Sequence, residues 1–195
     1  MTEPDLELKR WTRAEYEQLV AQGVFMPDDR VELIDGLLIV AEPQSAYHYT
    51  AVGLVARALA HAFGHEWDVR TQGPVALDDT SEPEPDVAVV RGDIRDYTTA
   101  HPTDPVLVVE VLSPGTERYD RHTKVPAYCE IASLNEILLI DSEAAYAEIL
   151  RREGDRWTVE LLHGRDAILY LSSVELRVSM AELYEGIDLE VDRAS

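Results

Sequence analysis

The chain has 195 residues, 46% of them hydrophobic, which suits one domain with a sizeable core. Its 38 acidic and 17 basic residues give a formal net charge of −21, which opposes non-specific nucleic-acid binding through phosphate neutralisation but leaves room for a local basic patch or a metal-bridged contact. A single cysteine, Cys129, excludes an intramolecular disulfide and a cysteine-based zinc site. No apolar run is long enough to cross a bilayer, and the opening MTEPDLELKRW lacks a basic-then-apolar signal pattern, so a soluble cytoplasmic protein without membrane contact is expected.

In chain order, Thr12-Arg13-Ala14-Glu15 reads as a capping box for a short helix ending near Gly23, with Tyr16, Leu19 and Val20 on one apolar face. VELI and LLIV flank Asp35-Gly36, a two-residue hairpin signal, and Glu32 on that hairpin reads as an exposed strand residue. Tyr47 to Ala62 has the spacing of an amphipathic helix. His48 at its start can contact a phosphate or a metal, or serve as a hydrogen-bonded structural group. His61 and His65 have metal-ligand spacing, but Gly64 interrupts the helix and no HExxH pattern follows, so no histidine metal site is expected.

Trp67 to Leu77 suggests a strand closed by the turn Asp78 to Ser81. Pro85 can open the next strand, with Asp86 placed just before the apolar Val87 to Val90. Val106 to Leu112 is the most apolar β-branched run and marks a strand buried on both faces, with Glu110 inside it. A carboxylate there must meet an arginine, the sheet rim, donors or a metal. If the two strands are adjacent and antiparallel, Asp86 and Glu110 converge; otherwise Asp86 is a turn acid. Ser113-Pro114-Gly115 ends the strand, and Thr116 can cap a helix that carries Asp120 and Lys124 on one face. Only Lys9 and Lys124 are lysines, so the second stands out as a compact charge suited to a hydrolytic site. Arg118, Arg121 and His122 on the same helix can touch phosphates or form a solvated face. Ile137 to Ile140 should form a core strand. Tyr146 to Leu189 reads as a β-meander around Gly154 and Gly164 that covers the sheet edge or dimerises, and Ser179 to Glu182 forms a capping box for a short last helix.

Pro85-Asp86, the block Glu110-Val111-Leu112-Ser113-Pro114, Asp120, Lys124 and Tyr128 together resemble the Uma2 family, bacterial restriction-endonuclease-like proteins of the PD-(D/E)XK nuclease superfamily. The similarity extends to ELIDG at Glu32 to Gly36, to the His48 helix and to Asn135 to Asp141, which covers most of the chain. The resemblance implies an α/β (α+β) fold: one restriction-endonuclease-like domain over residues 1–195, with a mixed β-sheet flanked by helices, an N-terminal helix and hairpin, and a C-terminal meander. It implies a Mg2+- or Mn2+-dependent endonuclease, often a homodimer, acting on nucleic acid and on DNA first. Asp86 and Glu110 would hold the metal with the Val111 carbonyl, Lys124 would orient or activate the attacking water, and Glu32 would be an additional acid. His48 and Asp120 would support these residues, with Arg121 near phosphate. The superfamily's usual lysine position, two residues after the second acid, is Leu112 here, so Lys124 must supply the amine from the next helix. Two alternatives are a catalytically inactive dimeric binding or regulatory protein of this fold, and a hydrolase of another phosphoester.

Overall fold

The computed structural model describes residues 8–26, 29–41 and 43–185; the opening seven residues and the end of the expected meander beyond Glu185 lie outside them. In chain order the elements are α1 (Arg13–Ala21), β1 (Val31–Ile34), β2 (Leu37–Val40), α2 (Ala46–Phe63), β3 (Trp67–Thr71), β4 (Val87–Arg91), β5 (Leu107–Leu112), α3 (Glu117–Tyr119), α4 (Val125–Cys129), β6 (Glu136–Asp141), β7 (Tyr146–Glu153), β8 (Arg156–His163), β9 (Ile168–Leu171), β10 (Leu176–Ser179) and α5 (Met180–Leu183). A 3-10 turn spans Ile94–Tyr97, and a π turn, Asp120–Lys124, joins α3 to α4.

The central mixed sheet runs β3-β4-β5-β6-β7-β8, with only the β5–β6 pair parallel. That parallel pair needs a crossover, and α3, the π turn and α4 provide it. All six residues of β5 are buried, as a strand covered on both faces requires. Side chains alternate along it. Leu107, Val109 and Val111 pack with Val52, Val55 and Leu59 of α2, while Val108 and Leu112 pack with Val125 and Tyr128 of α4 on the opposite face. Glu110 shares the α4 face by the same alternation.

The expected meander differs from an appendage, because β7 and β8 extend the central sheet itself through the turn at Gly154, while β9 and β10 form a separate hairpin. The turn of that second hairpin is tied back to β6. The Glu136 carboxylate, 1% exposed, accepts from the backbone N–H and hydroxyl of both Ser172 and Ser173 and from Arg151. Burial alone would raise its pKa, but the serine donors outweigh burial and hold it below the ordinary value.

β1 and β2 form the expected hairpin. Asp35 and Gly36 have φ of 49° and 72°, the primed turn geometry that the Asp-Gly pair favours. A Cβ on Gly36 would also fall 2.9 Å from Arg10 Cβ, so glycine is required there twice over. The capping boxes at Thr12/Glu15 and Ser179/Glu182 are both present. On α1, Tyr16 is buried and donates to the Val31 carbonyl at 2.6 Å, while Val20 is half exposed, so the apolar face is narrower than its spacing suggests.

Two expectations are corrected. The strand from Trp67 stops at Thr71 rather than Leu77, because Gln72 turns to φ 51° before Gly73-Pro74. Thr116 makes no side-chain cap; its hydroxyl lies 3.1 Å from Ser113 Oγ instead. The helix after it widens into the π turn, with Val125 N–H donating to the Asp120 carbonyl. Pro126 has no N–H for the His122 carbonyl, which removes one α-helical bond just where the helix loosens.

Candidate active site

The register of β4 against β5 builds the site. Val87 pairs with Val109, so one residue further along Asp86 stands opposite Glu110, and a second step puts Pro85 opposite Val111. Directly opposed like charges on one sheet face repel unless something stands between them. Proline has no N–H to offer the Val111 carbonyl, and the Val111 N–H is taken by Asp86 Oδ2 at 2.8 Å. The ladder therefore stops where two carboxylates and a backbone carbonyl come together.

Each acid is anchored through one oxygen. Asp86 Oδ2 also receives His48 Nε2 at 3.1 Å, leaving Oδ1 with only a long contact of 3.4 Å from Gln72 Nε2. Glu110 Oε1 receives the Tyr128 hydroxyl at 2.6 Å and the Lys124 amine at 3.2 Å. Lys124 Nζ reaches two further oxygens, Glu32 Oε2 at 3.3 Å and the Glu84 carbonyl at 3.2 Å, which matches its three N–H donors with three acceptors. Glu32 Oε2 in turn accepts from Glu84 N–H at 2.9 Å.

The electrostatics are unbalanced. Glu32, Asp86, Glu110 and Asp120 are each at most 6% exposed, and Lys124 is the one buried lysine or arginine among them. Burial, reinforced by Asp86 and Asp120, pushes the Glu110 carboxyl well above its ordinary range despite Lys124. Burial likewise raises Asp120 to about 6, against the opposing pull of Lys124 and the Thr116 hydroxyl. On Asp86, burial is outweighed by His48 and the Val111 N–H, and its pKa falls. Burial would discharge Lys124, but Glu110, Glu32, Asp120 and Asp86 together raise its pKa and keep it protonated.

These side chains line one cavity of about 460 Å3 between the β1–β2 hairpin, the start of α2 and the Ser113–Lys124 segment. The family model for Uma2, described as "Putative restriction endonuclease", matches residues 13–181. The chain belongs to the Uma2 family. Two Synechocystis sp. proteins, both called uncharacterized, are related to it. The first, slr1290, is 33% identical over 103 residues, 53% of this chain, and the match spans about half of slr1290, 54% of its length. The second, sll1609, is 29% identical over 171 residues, covering 85% of this chain and 94% of sll1609. A crystal structure from Anabaena variabilis, described as "a putative nuclease belonging to DUF820", superposes with a TM-score of 0.71 at 17% identity, covering 89% of this chain and 97% of that one. That likeness is one of fold.

In this Uma2 chain the cavity gathers Glu32, His48, Asp86, Glu110, Asp120 and Lys124. Glu32 corrects the reading of it as an exposed strand residue, since the whole of β1 is buried. Arg121 is not brought to the cavity: it pairs with Glu117 at 3.0 Å and with Glu148. His61 and His65 are exposed and far from these acids in the fold, beside the 3-10 turn. Among the described residues no cluster of three His, Cys, Asp or Glu side chains could hold a metal ion unaided. Two carboxylates with a backbone carbonyl is a different donor set, and a hard cation accepts it.

Sequence reasoning passed over Glu84 and Gln72. Glu84 acts through backbone groups, which leave no mark in side-chain patterns, and Gln72 sits where a strand was expected to continue. Tyr128→Phe removes the hydroxyl on Glu110 while keeping the ring. It is expected to cost about 1–3 kcal/mol, read as a lower denaturant midpoint at unchanged slope, because a buried acceptor is left short of a donor.

Proposed function

We propose that the chain is a nuclease that hydrolyses phosphodiester bonds with a divalent cation, Mg2+ or Mn2+, held by Asp86, Glu110 and the Val111 carbonyl. The observation that carries this reading is the charge imbalance: four buried acids face one buried lysine, and a doubly charged cation supplies what the cavity lacks. Asp86 Oδ1 and the second oxygen of Glu110 are the atoms not consumed by strong internal donors, so the donor set fits such an ion. When bound, the cation acidifies water and neutralises phosphate oxygens.

The remaining residues divide the other tasks. Lys124, whose pKa the surrounding acids raise, supplies a positive charge that orients the nucleophile and offsets charge building on the phosphorus. Asp120, titrating near 6 and lining the same cavity, has the proton affinity of a base for neutral pH. His48 holds Asp86 in one rotamer, and Tyr128 does the same for Glu110. Cleavage should therefore rise with pH through about 6, as Asp120 loses its proton. Asp120→Asn should flatten that limb; an unchanged limb in the variant would remove Asp120 from the reaction.

The test is cleavage of a nucleic-acid panel with Mg2+ or Mn2+ and with chelator, by the wild type and Glu110→Gln. Metal-dependent cleavage lost in the variant supports the reading, and metal-independent or Glu110-independent cleavage contradicts it.

A further inference from the structure

Resting on the nuclease reading, we infer that the cavity takes an unpaired stretch of nucleic-acid strand rather than a base-paired duplex. Duplex binding depends on many lysine and arginine contacts to phosphate, and the cations near this cavity are already committed. Lys124 is satisfied by Glu32, Glu110 and the Glu84 carbonyl, and Arg121 by Glu117 and Glu148. Arg30, which lines the cavity close to Glu84, and the exposed Arg118 remain to meet phosphate. Elsewhere Lys9, Arg10, Arg13, Arg70, Arg95 and Arg151 each pair with a carboxylate. With a net charge of −21 behind them, these two cations at the cavity offer few phosphate contacts, which disfavours a duplex there.

What the cavity wall offers instead is apolar, with two exposed aromatic rings on the adjoining first turn of α2. Ile39, Val40, Pro43 and Pro114 line the cavity alongside its acids, and Val40 is 68% exposed. The first turn of α2 turns His48 inward and leaves its two neighbours, Tyr47 and Tyr49, 39% and 70% exposed. Tyrosines in that position give unpaired bases a stacking surface, which a duplex with its bases stacked inside cannot use. In the same cavity wall the Gln44 amide nitrogen and His48 Nδ1 are buried without a partner, two polar atoms that the protein itself leaves unsatisfied beside the site. A cavity of about 460 Å3 is a small-molecule-sized pocket, fit for a single nucleotide unit.

The experiment compares one labelled oligonucleotide as a single strand and annealed to its complement, in DNA and RNA forms, with wild-type protein and Mg2+. Anisotropy across a salt series is read beside cleavage. The single strand should bind at least about tenfold more tightly, with a log–log salt slope no steeper than about −2, as two phosphate contacts dictate. Tyr47→Ala/Tyr49→Ala should weaken strand binding by about tenfold or more, leaving the salt slope and Mg2+ affinity unchanged. The DNA and RNA forms separate the two sources of the same strand chemistry. Equal or tighter binding and cleavage of duplex, or a tyrosine variant that binds like the wild type, overturns this inference and leaves the nuclease reading standing. Failure to cleave either form while Mg2+ still binds at the cavity overturns the nuclease reading itself, and this inference with it.

Discussion

Lys124→Met is expected to abolish cleavage and to lower folding stability by about 3–5 kcal/mol near pH 8, the range for stripping one partner from a buried ion pair. The methionine fills the volume but leaves Glu32 and Glu110, 3% and 2% exposed, without their cation. The deficit should shrink as the pH falls. The folded-state pKa of Glu110 is already raised by burial, and loss of Lys124 raises it further, so the folded variant binds more protons than the unfolded chain. Its stability is therefore greatest below the ordinary carboxylate range and is lost as the pH rises through the folded Glu110 pKa. Denaturant midpoints of the variant at two pH values check this, and a deficit independent of pH would contradict the ion-pair assignment. Lys124→Arg should not rescue activity. Three acceptors converge on a compact ammonium, and a planar guanidinium does not fit that point.

Asp86→Asn is expected to cut cleavage at least about 100-fold while the protein stays folded. Loss of a residue that merely supports a metal ligand costs about 10–100-fold, so loss of the ligand's own charge costs no less. The asparagine oxygen can still accept from the Val111 N–H, which limits the stability loss to about 1–2 kcal/mol. His48→Ala, which removes the support but not the charge, should fall between Asp86→Asn and the wild type. Rates measured at saturating Mg2+ beside thermal melts separate these effects. An Asp86→Asn enzyme that cleaves at the wild-type rate would exclude Asp86 from the site.

The parts of the site that follow from local pattern could be read in the sequence. The β-branched run around Glu110 and the Pro85-Asp86 strand entry mark two strands, but only the fold makes them adjacent and antiparallel and so sets the two acids opposite each other. The Asp35-Gly36 turn and both capping boxes are likewise local, and they form as their residues dictate. Local pattern alone makes Glu32 an exposed strand residue, because alternation along a hairpin cannot say what packs over it, whereas the family resemblance places it with the acids. Only the folded chain brings β1 against the Glu82 segment, through the Leu33–Glu82 bridge, and under Lys124. The π turn also lay beyond the pattern. Spacing of i and i+4 assumes an α-helix, yet Asp120 and Lys124 meet the cavity from a wider turn, where widening by one residue preserves a shared face. The helix position of Arg121 allows a phosphate contact or a solvated face, and long-range pairing with Glu148 of β7 turns it away from the cavity.

Calorimetric titration of Mg2+ and Mn2+ into the wild type and Glu110→Gln, at fixed ionic strength, tests the metal centre most directly. The diffuse charge of the acidic surface is nearly the same in both proteins and cancels in the comparison. Stoichiometric binding in the wild type, lost in Glu110→Gln while the melting temperature holds, is the predicted result. Equal weak binding in both proteins would contradict it and leave Glu110 as a structural partner of Lys124 and Tyr128.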